Sequence, residues 1–529
     1  MRDRRPQPTQ ENDLATSPEA LVATDTGDEM AVSASGEVDP VTHAHADSVA
    51  PDGTIKAGKL AGKSMWAAIW IVAVPVLLQQ LMQACVGMVD KLLAGQLPKA
   101  IVVDALDGIG LGTFVGWFIM IAMTGLGVGG QVIIARAMGS GDRHDAGAAL
   151  GQSVTLSLLW GAVVGVLLWF AATPLAQLAS LTPEATHWCE VYVRTIAVGM
   201  PFCGLMSVGT MCLHGAGESA KPLYISVLVN IVNVLGSWFI SGADLHVGSA
   251  IVSNPFPHDP GVWGVFGIAA GTTLCYVVGG VATLVVLLRG VKDLRLDVAH
   301  LRVDTLMAWR IVRVGVPNFF EGFVMWAVQL VVMKFIGVAS AARELNGLAK
   351  GGLVGAHTIA VQWESFSFLP GFAMGTAAGA VAGQYLGAGS PRLARKAIWA
   401  CTFVGMAIMG SLGIVFMTAG TFLTSLISTE PVHLEVVPQC LFTCGVVQVF
   451  FALAMVVRNG LRGVGDAKWL LLITMGSCCL IRVPLAYLFG VYFALGLPGI
   501  WIGLCVELVT RGLFFLARFL WGDWARIRV

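Results

Sequence analysis

From Trp66 onward the chain alternates between long apolar runs and short breaks rich in Gly, Pro and charged residues. A helix needs about 20 apolar residues to cross the hydrocarbon layer of a bilayer. Runs of that order occur near 66–94, 107–135, 148–173, 187–212, 222–241, 261–288, 311–338, 353–384, 396–420, 434–458, 467–493 and 498–520. The pattern predicts an all-α polytopic membrane protein with twelve transmembrane helices. Threading the chain from an inside N-terminus puts Arg136, Arg143, Lys221, Arg289, Lys292, Arg295, Arg302, Arg310, Arg313, Arg392, Arg395, Lys396, Arg458, Arg462, Lys468, Arg511, Arg518, Arg526 and Arg528 on the cytoplasmic side. Only Lys91, Lys99, Lys334, Arg343 and Lys350 fall outside. That asymmetry predicts a multi-pass protein of the cell membrane with both termini cytoplasmic, and an even number of spans.

The breaks repeat. ARAMGSGDRHDAGAAL (135–150) follows the second span and GQYLGAGSPRLARKAI (383–398) follows the eighth, with Gly139 and Gly141 matching Gly387 and Gly389 at a shift of 248 residues. CLHGAGESAKPL (212–223) matches GLRGVGDAKWLL (460–471) at the same shift, and Pro75 and Gly95 match Pro317 and Gly337 at 242. Both copies begin on the same side, so the halves are parallel repeats related by an axis along the membrane normal. Two pseudo-symmetric six-helix lobes are expected, 65–288 and 311–529, joined by a basic cytoplasmic linker, 289–310. Lobes of this kind rock about a cleft that binds substrate near the midplane.

Composition sharpens the class. Of the 529 residues 56% are hydrophobic and 12% charged, against about 25% charged in soluble domains. A formal net charge of zero argues against a nucleic-acid partner. The eleven cysteines lie in apolar runs, and Cys440/Cys444 have no His or acid near enough to make a metal site. Residues 1–64 are polar, without Trp or Phe, and read as a disordered cytoplasmic tail that lacks the apolar core of a cleaved signal peptide. No nucleotide loop stands up: GLGVGG (125–130) has no strand before it, and no GxxxxGK occurs, so transport must draw on an ion gradient.

Few polar residues interrupt the spans. The first, WAAIWIVAVPVLLQQLMQACVGMVDKLLAG, carries Pro75, Gln79, Gln80, Gln83 and one acid, Asp90. A carboxylate facing lipid at mid-bilayer costs about 2.5–3.5 kcal/mol, so Asp90 is expected to face protein and to couple an ion, unless it merely ends the helix beside Lys91. Its counterpart in the second repeat is apolar, whereas Glu321 on the seventh span corresponds to Gln79. Asn230 and Asn233 on the fifth span either bond Asp90 or join helices. Glu364 and His357 on the eighth could extend a proton path. Arg482 and Glu507 must find partners between helices.

These blocks, taken in order, resemble the multidrug and toxic compound extrusion (MATE) family: VPVLLQQLMQACVGMVDKLLAG, ARAMGSGDRHDA, HGAGESAKPL, NIVNVLGSWFI, GAHTIAVQWESFSFLPGFAMGTAAGAVAGQYLGAGSPRLARKA and GLPGIWIGLCVELVTRG. The resemblance implies a non-enzymatic antiporter, acting as a monomer in the lipid bilayer without a bound cofactor or metal. It exports small cationic or amphipathic organic compounds in exchange for protons or sodium ions. It places Asp90, Asn233 and Glu321 on ion-coupling positions. The polar residues themselves give Gln79, Gln83, Asn230, Ser237, His357 and Glu364 as weaker candidates for the cleft or proton path. Ser237 stands where many members carry an acid. The rival reading is a flippase for lipid-linked sugars, which would need a cationic cleft; Arg194 and Arg482 are the basic residues expected well inside spans.

Overall fold

The computed structural model describes residues 60–99, 101–178, 182–247, 250–256, 258–345 and 352–527. The expected tail lies outside the described residues up to position 59. Fourteen α-helices follow: α1 (Met65–Ala94), α2 (Val102–Ser140), α3 (Arg143–Leu178), α4 (Pro183–Val198), α5 (Met200–Gly215), α6 (Ala220–Ser241), α7 (Pro260–Arg289), α8 (Thr305–Leu345), α9 (Leu353–Gly387), α10 (Pro391–Ser425), α11 (Pro431–Gly463), α12 (Ala467–Ser477), α13 (Val483–Tyr487) and α14 (Gly496–Trp521). Among the described residues, eleven helical stretches are long and apolar enough to span a membrane, and α4 with α5, bent by 57°, makes a twelfth. The stretch Ala467–Tyr492 counts as one span in which α12 and α13 are joined and followed by π-helical turns, Cys478–Arg482 and Leu488–Tyr492. One element breaks the all-helical pattern: a two-stranded hairpin, β1 (Leu245–Val247) and β2 (Ala250–Val252), in register Leu245 to Val252.

Large apolar side chains such as Trp117, Phe170, Phe403 and Leu480 are exposed, as a lipid-facing surface requires. Inside, α1 serves both halves. Its first turns (Ala68, Ile69, Val72, Val76) pack in one core with Ala377, Val381, Val457 and Phe515, whereas Leu93 and Ala94 join Ala105, Ile109 and Ile268 in another. Leu60, assigned to the tail by sequence, is fully buried in the first of these cores.

The linker is shorter than expected. Asp304 Oδ1 accepts from the Leu306 and Met307 amides at 2.9 and 3.3 Å, an N-cap that starts α8 at Thr305. Gln152 holds the linker with Nε2 bonds to the His300 and Arg302 carbonyls and accepts from the Asp304 amide at 3.1 Å.

The repeat is visible in the backbone. Gly141 and Gly389, then Gly217 and Gly465, share positive φ (81° and 76°, then 76° and 92°), each pair 248 residues apart. Only Gly takes such angles without steric cost. The same symmetry governs where the lobes meet. A Cβ on Gly139 would lie 2.1 Å from the Gln384 carbonyl oxygen, and one on Gly387 would lie 2.1 Å from that of Arg136, the exchanged pair of positions. Side chains complete this crossing. Arg136 donates to the Ile527 and Val464 carbonyls at 2.5 and 2.7 Å, and Gln384 Nε2 donates to the Gly215 carbonyl at 3.0 Å. The lobes are thus clamped together at the end where α2 and α9 finish.

Three arginines of the cytoplasmic set are largely buried on helices rather than free in loops. Arg458 and Arg462 on α11 and Arg511 on α14 point into the second lobe, with side chains only 19%, 13% and 7% exposed. An arginine near a Gly-rich turn reads as a loop charge, but here the helix carries it inward to a buried acid.

Candidate functional site

Asp90 sits in the last two turns of α1 and is 4% exposed. Tyr192 Oη on α4 donates to its Oδ2 at 2.9 Å, and Thr272 Oγ1 on α7 lies 3.0 and 3.1 Å from its two oxygens. Thr272 in turn accepts from Asn233 Nδ2 at 3.0 Å, the same amide lying 3.4 Å from Ser237 Oγ. Ser237 donates to the Ile268 carbonyl at 3.2 Å. Hydrogen bonds to a charged group contribute about 1.5–3 kcal/mol each, so the two donors offset part of the cost of burying the carboxylate.

Small residues bring these groups together. A Cβ on Gly271 would stand 2.2 Å from the Ser237 amide, and one on Gly267 would stand 2.3 Å from that of Ser241, so α6 and α7 touch backbone to backbone. That contact places Asn233 and Ser237 beside Thr272. Gly112 on α2 leaves room for the Tyr192 ring, which a Cβ there would meet at 2.6 Å. Asn233 Oδ1 is buried without a hydrogen bond. With the Asp90 carboxylate and three hydroxyls it forms an oxygen-rich cluster, the donor type that hard cations take.

The second lobe is built differently. Glu321 on α8 is fully buried and accepts from Arg458 Nε at 2.5 Å, Arg462 Nη2 at 2.7 Å and Thr474 Oγ1 at 3.0 Å. Glu321, an ion-coupling candidate from the sequence, is clamped by two guanidinium groups. Arg482 and Glu507 find each other at 2.8 Å, and Arg511 Nε is 3.2 Å from the same carboxylate.

The weaker candidates scatter. Asn230 bonds the Ser226 carbonyl of its own helix at 2.9 Å and does not reach Asp90. Gln79 is half-buried with an unpaired Oε1, and Gln83 is exposed. The buried His357 ring is held between Trp501 Nε1 and Gln329 Nε2, each at 3.2 Å. Glu364, half-buried, makes no carboxylate hydrogen bond among the described residues and is joined to neither His357 nor the Asp90 cluster.

A family model described as MatE matches residues 75–239 and 317–488, one copy on each repeat. The chain belongs to the MatE family. This MatE protein is a multi-pass membrane transporter and not an enzyme. It is 26% identical over 455 residues to the probable multidrug resistance protein NorM of Thermotoga maritima, covering 86% of this chain and 92% of that one. It is 24% identical to the multidrug resistance protein PmpM of Pseudomonas aeruginosa, over 84% and 89% of the two chains. A crystal structure described as MATE in the straight conformation matches its fold with a TM-score of 0.74 at 22% identity, covering 87% of this chain and 95% of that one.

Nothing in the sequence singles out Tyr192 and Thr272 of the MatE protein. Neither residue type is unusual in a span, and they stand 102 and 182 positions from Asp90. Arg458, Arg462 and Arg511 had a faint signal: the spacing of four residues that puts Arg458 with Arg462, and Glu507 with Arg511, on one helix face.

Proposed function

We propose that this MatE protein exports organic compounds across the cell membrane, coupled to inward movement of protons or sodium ions at Asp90. The observation that carries the reading is the buried Asp90 with its converging Tyr192, Thr272, Asn233 and Ser237. Binding a proton or a sodium ion there cancels the carboxylate charge, and release restores it, so the site has two electrostatic states at one location. Pro75 lies fifteen residues before Asp90 in α1 and removes one backbone hydrogen bond, giving that helix a point of bending as the charge changes. Because α1 packs against both lobes, a change in its shape acts on their relation. The relatives described as multidrug resistance proteins support drug-like cargo.

We infer that, with both termini cytoplasmic, the clamped end is the cytoplasmic one and this arrangement is closed to the cell interior. Alternating access then requires the Arg136, Gln384, Gly139 and Gly387 crossing to part. Export of ethidium by cells expressing the chain, lost in Asp90→Asn with membrane protein level unchanged, tests the reading; unchanged export in that variant overturns it. A second reading, a flippase for lipid-linked sugar precursors, gains from the arginines of the second lobe, since phosphate recognition needs cations within the membrane.

A further inference from the structure

Four arginines converge inside the second lobe from three spans: Arg458 and Arg462 on α11, Arg482 in the π-helical turn after α12, and Arg511 on α14. Two carboxylates, Glu321 and Glu507, hold them. Both acids are fully enclosed, whereas the arginine side chains keep 19%, 13%, 11% and 7% of their surface. All four arginine side chains therefore keep some exposed surface, whereas neither carboxylate of these pairs has any.

The array is continuous. Met325 sits between its two parts, with its sulfur 3.7 Å from Arg511 Nη1 and 4.0 Å from Arg458 Nη2. The backbone of α8 packs on α2, α12 and α14, while α11 packs on α9, α10 and α14, so the Glu321 bridges to α11 are made by long side chains. Donors are in surplus, since each guanidinium offers five N–H groups and, among the described residues, Arg462 Nε makes no hydrogen bond.

Charge is in surplus too. Two arginines would neutralise two carboxylates, and an arginine stays protonated even when buried. Glu364 on α9 lies within electrostatic reach of Arg482, and counting it as ionised still leaves the array cationic. Uncompensated charge within a membrane is costly and marks functional positions. The π-helical turn that carries Arg482 belongs to a class of distortion found at such positions. Two helical turns from Arg458 on α11, about 10 Å along the axis, Phe451 meets Phe368 with the rings tilted by 50°, and Phe368 stacks with Phe372 on α9. An aromatic surface thus lies on the same helix as two of the guanidinium groups.

We propose that this array is a subsite for an oxyanion group, a carboxylate, sulfonate or phosphate, carried on an apolar body. The cargo of the transporter then includes amphipathic organic anions, with the ion-coupling carboxylate in one lobe and the anion subsite in the other. This rests on the reading of the chain as an exporter, but equilibrium binding tests it without any transport.

The test uses the full chain in nanodiscs of phosphatidylcholine with tritiated cholate as probe. Wild-type protein is expected to bind cholate, to lose affinity as salt rises, and to bind uncharged methyl cholate about tenfold more weakly, the loss that one charged hydrogen bond implies. Arg462→Gln leaves Glu321 paired with Arg458, and Arg511→Gln leaves Glu507 paired with Arg482. Each should weaken cholate binding about tenfold while Arg462→Lys keeps most of it. If the glutamine variants do not fold, the comparison of cholate with methyl cholate on wild-type protein decides alone. Replacing part of the lipid by phosphatidylglycerol separates the two sources of the anion. Competition with cholate assigns the subsite to a lipid headgroup, and its absence to a free compound, either result supporting an oxyanion subsite. Equal binding of cholate and methyl cholate, or unchanged cholate affinity in both folded glutamine variants, overturns the proposal. Failure to export any dye would count against the exporter reading and leave these binding results standing.

Discussion

Gly139→Ala adds one methyl group at the point where α2 and α9 cross. The new Cβ would lie 2.1 Å from the Gln384 carbonyl oxygen, 2.8 Å from its carbon and 3.0 Å from its Cα, where ordinary contact begins at 3.4 Å. Every one of these neighbours is backbone of a long helix, so no rotamer change relieves the clash and the two helices must separate by more than an ångström. Forcing a methylene into a packed site costs about 1–3 kcal/mol. That cost falls only on the state in which this end is closed, so the ratio of open to closed lobes should rise by about 5–150-fold. The symmetric change, Gly387→Ala against the Arg136 carbonyl, should act in the same direction, and the pair should be less than additive because they load one crossing. Spin labels at Asp142→Cys and Arg392→Cys, both exposed, in a background with the exposed Cys479 replaced by Ser, report the separation by double electron–electron resonance in nanodiscs. A longer-distance population should grow in the variant. Alanine also raises helix propensity over glycine by about 1 kcal/mol, so overall unfolding should not account for the change. An unchanged distance distribution in both single variants would refute the role given to this crossing.

The same assay should show opening in Arg136→Gln, which removes charged bonds to the Val464 and Ile527 carbonyls, each contributing about 1.5–3 kcal/mol to the closed state. Thr272→Val takes one donor from Asp90 and the acceptor from Asn233 Nδ2; uphill dye export should fall about tenfold or more at equal protein level. Glu321→Gln strands Arg458 and Arg462 in a partly buried site. A loss of about 3–5 kcal/mol should appear as a lower unfolding temperature in detergent. In His357→Ala the Trp501 indole loses its acceptor, and the expected effect is about 1–3 kcal/mol of stability with export per folded protein retained.

The helical plan was legible because a bilayer forces backbone polar groups to pair within each span, which leaves long uninterrupted apolar runs in the sequence. Glycines at a fixed shift revealed the repeat, and the structure places those same glycines at the left-handed turns and at the lobe crossing. Asp90 stood out as an acid in an apolar run. Its neighbours did not, since Tyr192 and Thr272 reach it through packing between distant helices that no local spacing encodes. Asn230 and Asn233 looked equivalent in sequence, but they are offset by about 60° and one turn along the helix, and only Asn233 joins the cluster, while Asn230 bonds the Ser226 carbonyl. The arginines misled for a related reason: Arg458 and Arg462 precede a Gly-rich turn and count as loop charges until Glu321 is seen across from them. The cationic lining of the second lobe was hidden by that assignment.

Ion coupling through Asp90 is tested most directly in proteoliposomes of the purified chain, with ethidium uptake followed while a proton gradient and a sodium gradient are imposed in turn. Wild-type protein should accumulate the dye against its concentration gradient under at least one of the two. Asp90→Asn, reconstituted at the same level, should accumulate none under either. Uphill accumulation by Asp90→Asn at the wild-type rate would contradict the coupling role assigned to the cluster of Asp90, Tyr192, Thr272, Asn233 and Ser237.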